Sequence, residues 1–326
     1  MKKVLVTGAG GFIGHRLVRT LLESGFMVNC FLRYTSSSSM GLLETLPEEM
    51  KRSINCFYGD IRNPEIVRKA MEDCDTVFHL AALIGIPYSY QCPSDVVSVN
   101  IGGTLNVLNS ALETGAQVVS TSTSEVYGSA MVVPMTESHP LNAQSPYAAS
   151  KTGADQLTMS YHAAFGLPAV VCRPFNTFGP GQSQRAVIPS ILAQALFADE
   201  VVIGSTFPTR DFTFVDDTAA AFIAIAESSK TTGRVVHFGT GREISIGDLA
   251  KLAAKAAHRE GITIRASDPS RVRPGSSEVT RLVASSELAL ELTGWKPRVS
   301  LEEGLEITAD WIKTHPSHYR LRGYRV

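Results

Sequence analysis

Short apolar runs alternate with helical periodicities along most of the chain. Val4-Leu5-Val6 reads as a buried strand and Arg16 to Ser24 as the helix after it. Strands are expected again at Phe26 to Leu32, Cys56 to Ile61, Asp75 to Leu80 and Val118 to Thr121. A helix is read over Val97 to Glu113, and Gly85 to Cys92 is read as a loop. Ser145 is a good N-cap and Pro146 a good first helical residue, so another helix is expected to start there. Further on, an apolar helix runs from Pro189 to about Ala198, with a strand near Val201-Val202-Ile203. Helices are expected over Thr218 to Ser228, Ile246 to Glu260 and Glu302 to Lys313, with a strand at Val235 to Phe238. Strands separated by helices predict an α/β fold with a doubly wound parallel sheet.

Glycines and hydroxyls fall where such a sheet binds ligands. Gly8-x-x-Gly11-x-x-Gly14 lies between the first strand and the first helix. There the backbone can approach a pyrophosphate, and the helix N-terminus offers free N–H groups. The spacing differs from the commoner G-x-G-x-x-G. After the second strand no carboxylate stands ready for an adenosine ribose; Leu32 takes that position and Arg33 follows. Arg33 with the polar run Thr35 to Ser39 suits a 2′-phosphate, favouring NADP over NAD. The serine run is expected to order on binding.

Several single residues leave two readings open. Asp60 bonds an adenine amino group or caps the next helix; Asn100 is a buried strut or part of the site. Ala81-Ala82 are small enough for a cofactor to lie close, and Pro87, Tyr88 and Tyr90 are candidates to face a substrate. Thr123, Ser124 and Glu125 follow the fifth strand, at the edge where open α/β sheets bind ligands. Tyr147 and Lys151 share a helix face, and an ammonium beside a phenol lowers its pKa towards that of an acid–base catalyst.

Composition narrows the classes. The 326 residues are 44% apolar and 19% charged, with a net charge of −1, which speaks against a general nucleic-acid or membrane-surface binder. Five scattered cysteines show no metal spacing and fit a reducing compartment. Met1-Lys2-Lys3 runs straight into a strand, and no apolar run approaches about 18 residues, so a cytoplasmic protein is expected. The basic tail, His315 to Val326, is read as free or packed on the body.

Taken together, these residues resemble the extended short-chain dehydrogenase/reductases that act on nucleotide sugars. The matching pieces are the glycine turn, Asp60-Ile61, His79-Leu80-Ala81-Ala82, Asn100, Thr123, Tyr147-x-x-x-Lys151 and Arg173-Pro174-Phe175-Asn176. Arg210-Asp211-Phe212, Val215-Asp216-Asp217 and Arg273-Pro274-Gly275 extend the match over nearly the whole chain. The resemblance implies a Rossmann-like cofactor domain over 1–178, with returns near 212–240, and a smaller mixed substrate lobe over 179–326. Cofactor contacts are then expected from Gly8, Gly11, Phe12, Ile13, Gly14, Arg33, Asp60, Ile61, Leu80, Ala81, Ala82, Asn100 and Pro174, together with Tyr147 and Lys151. Substrate contacts are expected from Pro87, Tyr88, Asn176, Arg185, Pro189, Arg210 and Arg273.

Thr123-Ser124-Glu125 resembles the triplet of nucleotide-sugar 4,6-dehydratases, whereas epimerases of the family generally lack a carboxylate at the position of Glu125. Implied roles follow. Tyr147 takes the proton of a sugar hydroxyl at C4, Lys151 holds the nicotinamide ribose, and Thr123 orients the hydroxyl. Glu125 takes the C5 proton, and water leaves C6 with help from Glu125 or Ser124. The dehydratases of bacterial legionaminic-acid pathways are the nearest likeness, through Ala81 to Tyr90, Phe175 to Pro180 and Arg185 to Pro189. Their substrate is a GDP- or UDP-linked N-acetylglucosamine. UDP-glucuronate decarboxylases carry the same triplet and remain an alternative, as does a 4-epimerase. A sensor that binds the cofactor without turnover is a more distant one. The family also implies a homodimer, with no metal.

Overall fold

The computed structural model describes residues 2–267 and 277–319. The first half runs β1 (Lys3–Thr7), α1 (Phe12–Glu23), β2 (Met27–Arg33), α2 (Glu48–Ser53), β3 (Ile54–Gly59), α3 (Pro64–Met71) and β4 (Thr76–His79). It continues through α4 (Ile86–Gln91), α5 (Pro93–Val97), α6 (Gly103–Thr114), β5 (Gln117–Thr121), α7 (Pro146–Phe165) and β6 (Ala169–Pro174). Then come β7 (Asn176–Phe178), α8 (Val187–Phe197), β8 (Glu200–Ile203), β9 (Thr209–Arg210), β10 (Phe212–Phe214) and α9 (Val215–Glu227). The chain ends with β11 (Val235–Phe238), β12 (Ile244–Ser245), α10 (Ile246–Ala256), β13 (Thr263–Ala266), α11 (Glu287–Thr293) and α12 (Leu301–Thr314).

Seven strands form the central sheet in the order β3-β2-β1-β4-β5-β6-β11, and every neighbouring pair is parallel. The period-two side-chain alternation divides the core cleanly. Val4, Val6, Phe78, Val119, Val170 and Cys172 face a layer that includes Leu17 of α1 and Phe222 of α9. Leu5, Val77, Val118 and Ala169 face the opposite layer, with Val67 of α3 and Leu108 of α6. Both faces are covered, which is why the strands read as continuous apolar runs. Strand order reverses between β1 and β4, so a crevice opens at their C-terminal ends.

A second core lies beyond the sheet. Ile191 and Leu192 of α8, Leu249 and Ala253 of α10, and Leu305 and Ile312 of α12 pack with Phe178, Val201 and Phe214. The sheet layer takes back α9 and β11 from this half, and also α11, whose Ala289 and Leu292 join the first core. Residues 212–214 do not enter the central sheet; β10 pairs with β7.

Several elements depart from the sequence reading. The first helix starts at Phe12 rather than Arg16, because Gly11 already serves as its N-cap. The expected loop at 85–92 contains α4, which has Pro87 in its first turn, a position that tolerates a missing N–H. The expected helix over 97–113 is interrupted by a π-helical turn, Ser98–Gly102. The Ile246 helix ends at Ala256, and His258 turns the chain with a φ of 57°. The tail is packed as far as Tyr319, which donates to the Gln182 carbonyl at 3.1 Å; the remaining residues of that reading lie outside the described ones.

One contact sets the spacing between β1 and α1. A Cβ on Gly14 would stand 2.2 Å from the Gly8 carbonyl oxygen and 2.9 Å from the Ala9 Cα, both backbone atoms that cannot rotate away. Gly14→Ala is therefore expected to destabilise the protein by about 3 kcal/mol in urea unfolding. Gly166→Ala, at a left-handed helix end with nothing within 4 Å, should cost only about 1 kcal/mol of local strain. Equal midpoints for the two variants would contradict close packing at Gly14.

Candidate active site

The glycine turn closes on itself through Gly11 N–H donating to the Gly8 carbonyl at 3.0 Å, and Gly8 takes a φ of 71°. Gly11 has no side chain to cap α1, so the first-turn amides next to Phe12 and Ile13 are left for an anionic group. Ala81 lies against Gly8, where a Cβ would meet its amide nitrogen at 2.9 Å. The ends of β1 and β4 pack backbone to backbone here, which leaves no room for a side chain at position 8. Thr7 supports the same corner: its hydroxyl accepts from the amides of Leu80 and Ala81, both at 3.1 Å. The Thr7 hydroxyl also bonds His79 Nδ1 at 2.8 Å. Burial first, and Lys151 second, depress the His79 imidazole to about 3, so it is neutral at pH 7. Ala82 is half-buried in the same stretch.

Arg33 ends β2 and is exposed, beside Gly59 in the register. The polar run after it is partly tied down. Ser39 donates to Glu44 at 2.7 Å, and the Leu42 amide donates to the Gly10 carbonyl at 2.9 Å, which brings this segment over the glycine turn. Asp60 does not cap the next helix. Asn63 does, accepting from Glu65 and Ile66, while the Asp60 carboxylate pairs with Arg62 at 2.6 Å. Hydrogen bonding from Arg62 holds Asp60 below the usual carboxylate range. Ile61 is buried against Gly103.

Asn100 occupies the π-helical turn and is 1% exposed. Its amide accepts from the Leu83 N–H at 2.8 Å and donates to the Leu83 carbonyl at 3.0 Å and to Ser150 Oγ at 2.9 Å. Ser150 in turn donates to the Tyr147 carbonyl at 2.7 Å. Asn100 is thus a strut between the loop after β4 and the start of α7.

Thr123, Ser124 and Glu125 lie in a single tight turn. Thr123 caps it by accepting from the Glu125 amide at 3.3 Å, and the 3-10 helix Ser124–Tyr127 follows. Ser124 is 2% exposed. On α7, Ser145 accepts from the Ala148 amide at 3.1 Å, which fixes the first turn, and Tyr147 and Lys151 project together into the interior. Tyr147 hydrogen-bonds Thr123 and lies within the field of the Glu125 carboxylate, so the two segments meet.

The electrostatics correct one expectation. Burial pushes the Tyr147 phenol well above the ordinary tyrosine value; the Thr123 hydrogen bond works against this, and the Glu125 and Asp155 charges add to it. Lys151 is not among the groups that shift it. Burial also pushes the Lys151 ammonium down, with Asp155 working the other way. Desolvation is the largest influence on both groups.

The substrate candidates are spread over several elements. Asn176 starts β7, and its buried Oδ1 has no hydrogen-bond partner. Pro174 is buried at the end of β6. Arg210 is 6% exposed, donates to the Thr209 carbonyl at 2.9 Å and pairs with Glu278 at 3.7 Å. Arg185 is exposed before α8, and Pro189 is buried within that helix. Tyr88 spends its hydroxyl on Asp95 at 2.9 Å, whereas Tyr90 reaches across to Ser277 at 2.5 Å. Arg273 lies outside the described residues. Sequence reasoning did not single out Asp155 or His237, which lie directly behind the Thr123 turn, because their partners are distant along the chain.

Chains of similar sequence and fold occur among nucleotide-sugar enzymes. The family model described as GDP-mannose 4,6 dehydratase matches residues 5–308. The dTDP-glucose 4,6-dehydratase of Streptomyces antibioticus is 32% identical over 95% of this chain and 92% of its own. The UDP-N-acetyl-alpha-D-glucosaminuronate decarboxylase of Bacillus cytotoxicus is 30% identical over 96% of this chain and 98% of its own. Among solved structures, a double mutant of the dTDP-glucose 4,6-dehydratase of Streptomyces venezuelae, described with NAD and DAU bound, superposes with a TM-score of 0.87. It is 27% identical and covers 96% of this chain and 98% of its own. With the family model matched over residues 5–308 and a relative 32% identical along almost its whole length, the chain belongs to the extended short-chain dehydrogenase/reductase family of nucleotide-sugar 4,6-dehydratases.

Proposed function

We propose that the protein converts a nucleoside-diphosphate hexose to its 4-keto-6-deoxy derivative by loss of water, with NADP as the bound cofactor. The observation that carries this is the meeting of the two segments: Tyr147 is hydrogen-bonded to Thr123 and within the field of Glu125. An alcohol oxidation centre and a carboxylate base then act on adjacent carbons of one sugar. When bound, the nicotinamide supplies the oxidising and reducing capacity of the cycle and ends it unchanged. The protein handles protons and position. As the phenolate, which burial makes the minor form of the free protein, Tyr147 removes the C4 hydroxyl proton, and Thr123 holds that hydroxyl in line. Once C4 is a ketone the C5 proton is acidic, and Glu125 removes it. Water leaves C6 with a proton delivered from Glu125 or Ser124.

The cofactor choice rests on Arg33. It is exposed at the end of β2 with the hydroxyls of Thr35 to Ser39 beside it in sequence, and no carboxylate ends that strand to repel a 2′-phosphate. The sugar nucleotide is an N-acetylglucosamine linked to GDP or UDP, as the likeness to the legionaminic-acid-pathway enzymes suggests. Asn176, Arg185, Arg210 and Arg273 are assigned to its diphosphate and nucleoside. The protein acts as a cytoplasmic homodimer in this reading. A second reading, decarboxylation of a nucleotide-linked uronic acid, is supported by the shared Thr-Ser-Glu triplet and by the Bacillus cytotoxicus relative. It uses the same oxidation at C4.

Mass spectrometry of incubations with UDP-N-acetylglucosamine, GDP-N-acetylglucosamine and UDP-glucuronate separates the two readings. A product lighter by one water from an N-acetylglucosamine donor is expected, and loss of carbon dioxide from the glucuronate alone would replace the dehydratase by the decarboxylase. Glu125→Gln should lower kcat for water loss by about 10²- to 10⁴-fold while leaving cofactor binding intact. Elimination at the parent rate would remove Glu125 as the C5 base. Arg33→Ala should weaken NADP+ by about tenfold to a hundredfold and leave NAD+ unchanged; an equal loss for both contradicts recognition of the 2′-phosphate.

A further inference from the structure

Behind the Thr123 turn lies a buried ion pair that the reaction does not consume. Asp155 sits one helical turn beyond Lys151 on α7, and Arg173 comes from β6; their side chains are 2% and 3% exposed. Asp155 Oδ2 accepts from Arg173 Nη2 and from Ser122 Oγ, both at 2.6 Å. Arg173 Nε donates to the same Ser122 hydroxyl at 3.3 Å, and Nη1 donates to the Tyr127 hydroxyl. The guanidinium carbon also lies 4.7 Å from the centroid of the Tyr127 ring.

Tyr127 is locked further on. Arg173 can only donate, so the single Tyr127 hydroxyl proton goes to His237 Nε2, 2.5 Å away on β11. That leaves the His237 proton on Nδ1, facing the Met135 carbonyl at 3.3 Å. Burial holds this imidazole neutral, with a value depressed to about 3.

The catalytic turn is therefore tied at both ends to one guanidinium–carboxylate pair. Ser122 precedes Thr123, Tyr127 follows Glu125 by two residues, and the carboxylate of the pair stands on the helix that carries Tyr147 and Lys151. A buried pair of this kind gains little net stability, because desolvation of both charges offsets most of their attraction. Stability alone is a weak reason for its place here. Both charges converge on the two flanks of the turn, and that calls for a geometric reason.

We propose that Asp155 and Arg173 are positioning residues that set the reach of Thr123 and Glu125 towards Tyr147, so that the C5 base is held in register with the C4 oxidation centre. This rests on the dehydratase reading for its chemistry, though not for its geometry. Neither residue touches the reacting atoms. Asp155 also has a second oxygen, Oδ1, buried without a hydrogen-bond partner, and its charge favours the ammonium form of Lys151. The one carboxylate thus serves both halves of the site.

Arg173→Lys tests the arrangement, because it keeps the charge but cannot reach Asp155, Ser122 and Tyr127 together. Two measurements are made on the full chain. In hydrogen–deuterium exchange without substrate, the amides of Val126 and Gly128, which bond Thr123 and Glu125 carbonyls, should exchange about tenfold faster. In turnover with NADP+ and UDP-N-acetylglucosamine, GDP-N-acetylglucosamine or dTDP-glucose, kcat should fall on the order of 10²-fold with little change in KM. Reduced cofactor should accumulate, since C4 oxidation then outruns elimination at C5. Exchange as in the parent, or oxidation and elimination falling in equal proportion, would overturn the proposal. If Arg173→Lys does not fold, Tyr127→Phe cuts only the outer tie and should shift both readouts the same way, to a smaller extent; no shift in either also overturns it. A parent protein that turns over none of the three sugars defeats the dehydratase reading, and the exchange result still decides the positioning role.

Discussion

An ammonium group and a phenol buried one turn apart on α7 are the constraint that the remaining structure serves. Lys151 is 4% exposed and Tyr147 8%, and burial moves both towards their uncharged forms. Left alone, such a pair would be two expensive polar groups in a low-dielectric interior. The surrounding protein supplies the counterweights. Asp155, one turn further along, favours the charged lysine; Thr123 bonds the phenol; Ser145 and the Asn100–Ser150 strut hold the first turn of the helix in place. The site is set by everything packed around it.

The fold brings these parts together through its switch point. The reversal of strand order at β1 and β4 opens the crevice, and the missing side chains of Gly8 and Gly14 let β1, α1 and the end of β4 pack closely beneath it. β5 delivers the Thr123 turn to the same edge, β6 delivers Arg173, and β7 begins with Asn176. The second core, around α8, α10 and α12, stands past that edge, where a substrate has to be held. The glycine turn, the Thr123 turn and Asn176 thus follow one another along this side of the sheet.

Much of this was legible in the sequence where the signal was local. Buried strands showed as short apolar runs, the glycine turn by its flanking strand and helix, and the start of α7 by a Ser–Pro cap. What escaped was non-local or finely balanced. Residues 85–92 carry two glycine- or proline-type signals that read as loop, yet Pro87 lies in a first helical turn where its missing N–H costs nothing. A helical period continues through 97–113, so the π-helical turn at Asn100 leaves no mark on the pattern. Asp60 lost its capping role to Asn63, three residues on, because an adjacent arginine claimed its carboxylate. The Asp155–Arg173–Tyr127–His237 chain joins residues up to 110 positions apart. Its only sequence trace is a carboxylate one turn after Lys151 and an arginine inside an otherwise apolar strand.

The central claim is that one site oxidises C4 and then eliminates water across C5 and C6 of the same sugar. The most direct measurement uses UDP-N-acetylglucosamine carrying deuterium at C4, with the product examined by NMR. The account predicts that the deuterium is recovered at C6 of a 4-keto-6-deoxy product, with solvent hydrogen at C5. Deuterium recovered at C4 of an inverted sugar, with the C6 hydroxyl intact, would contradict it.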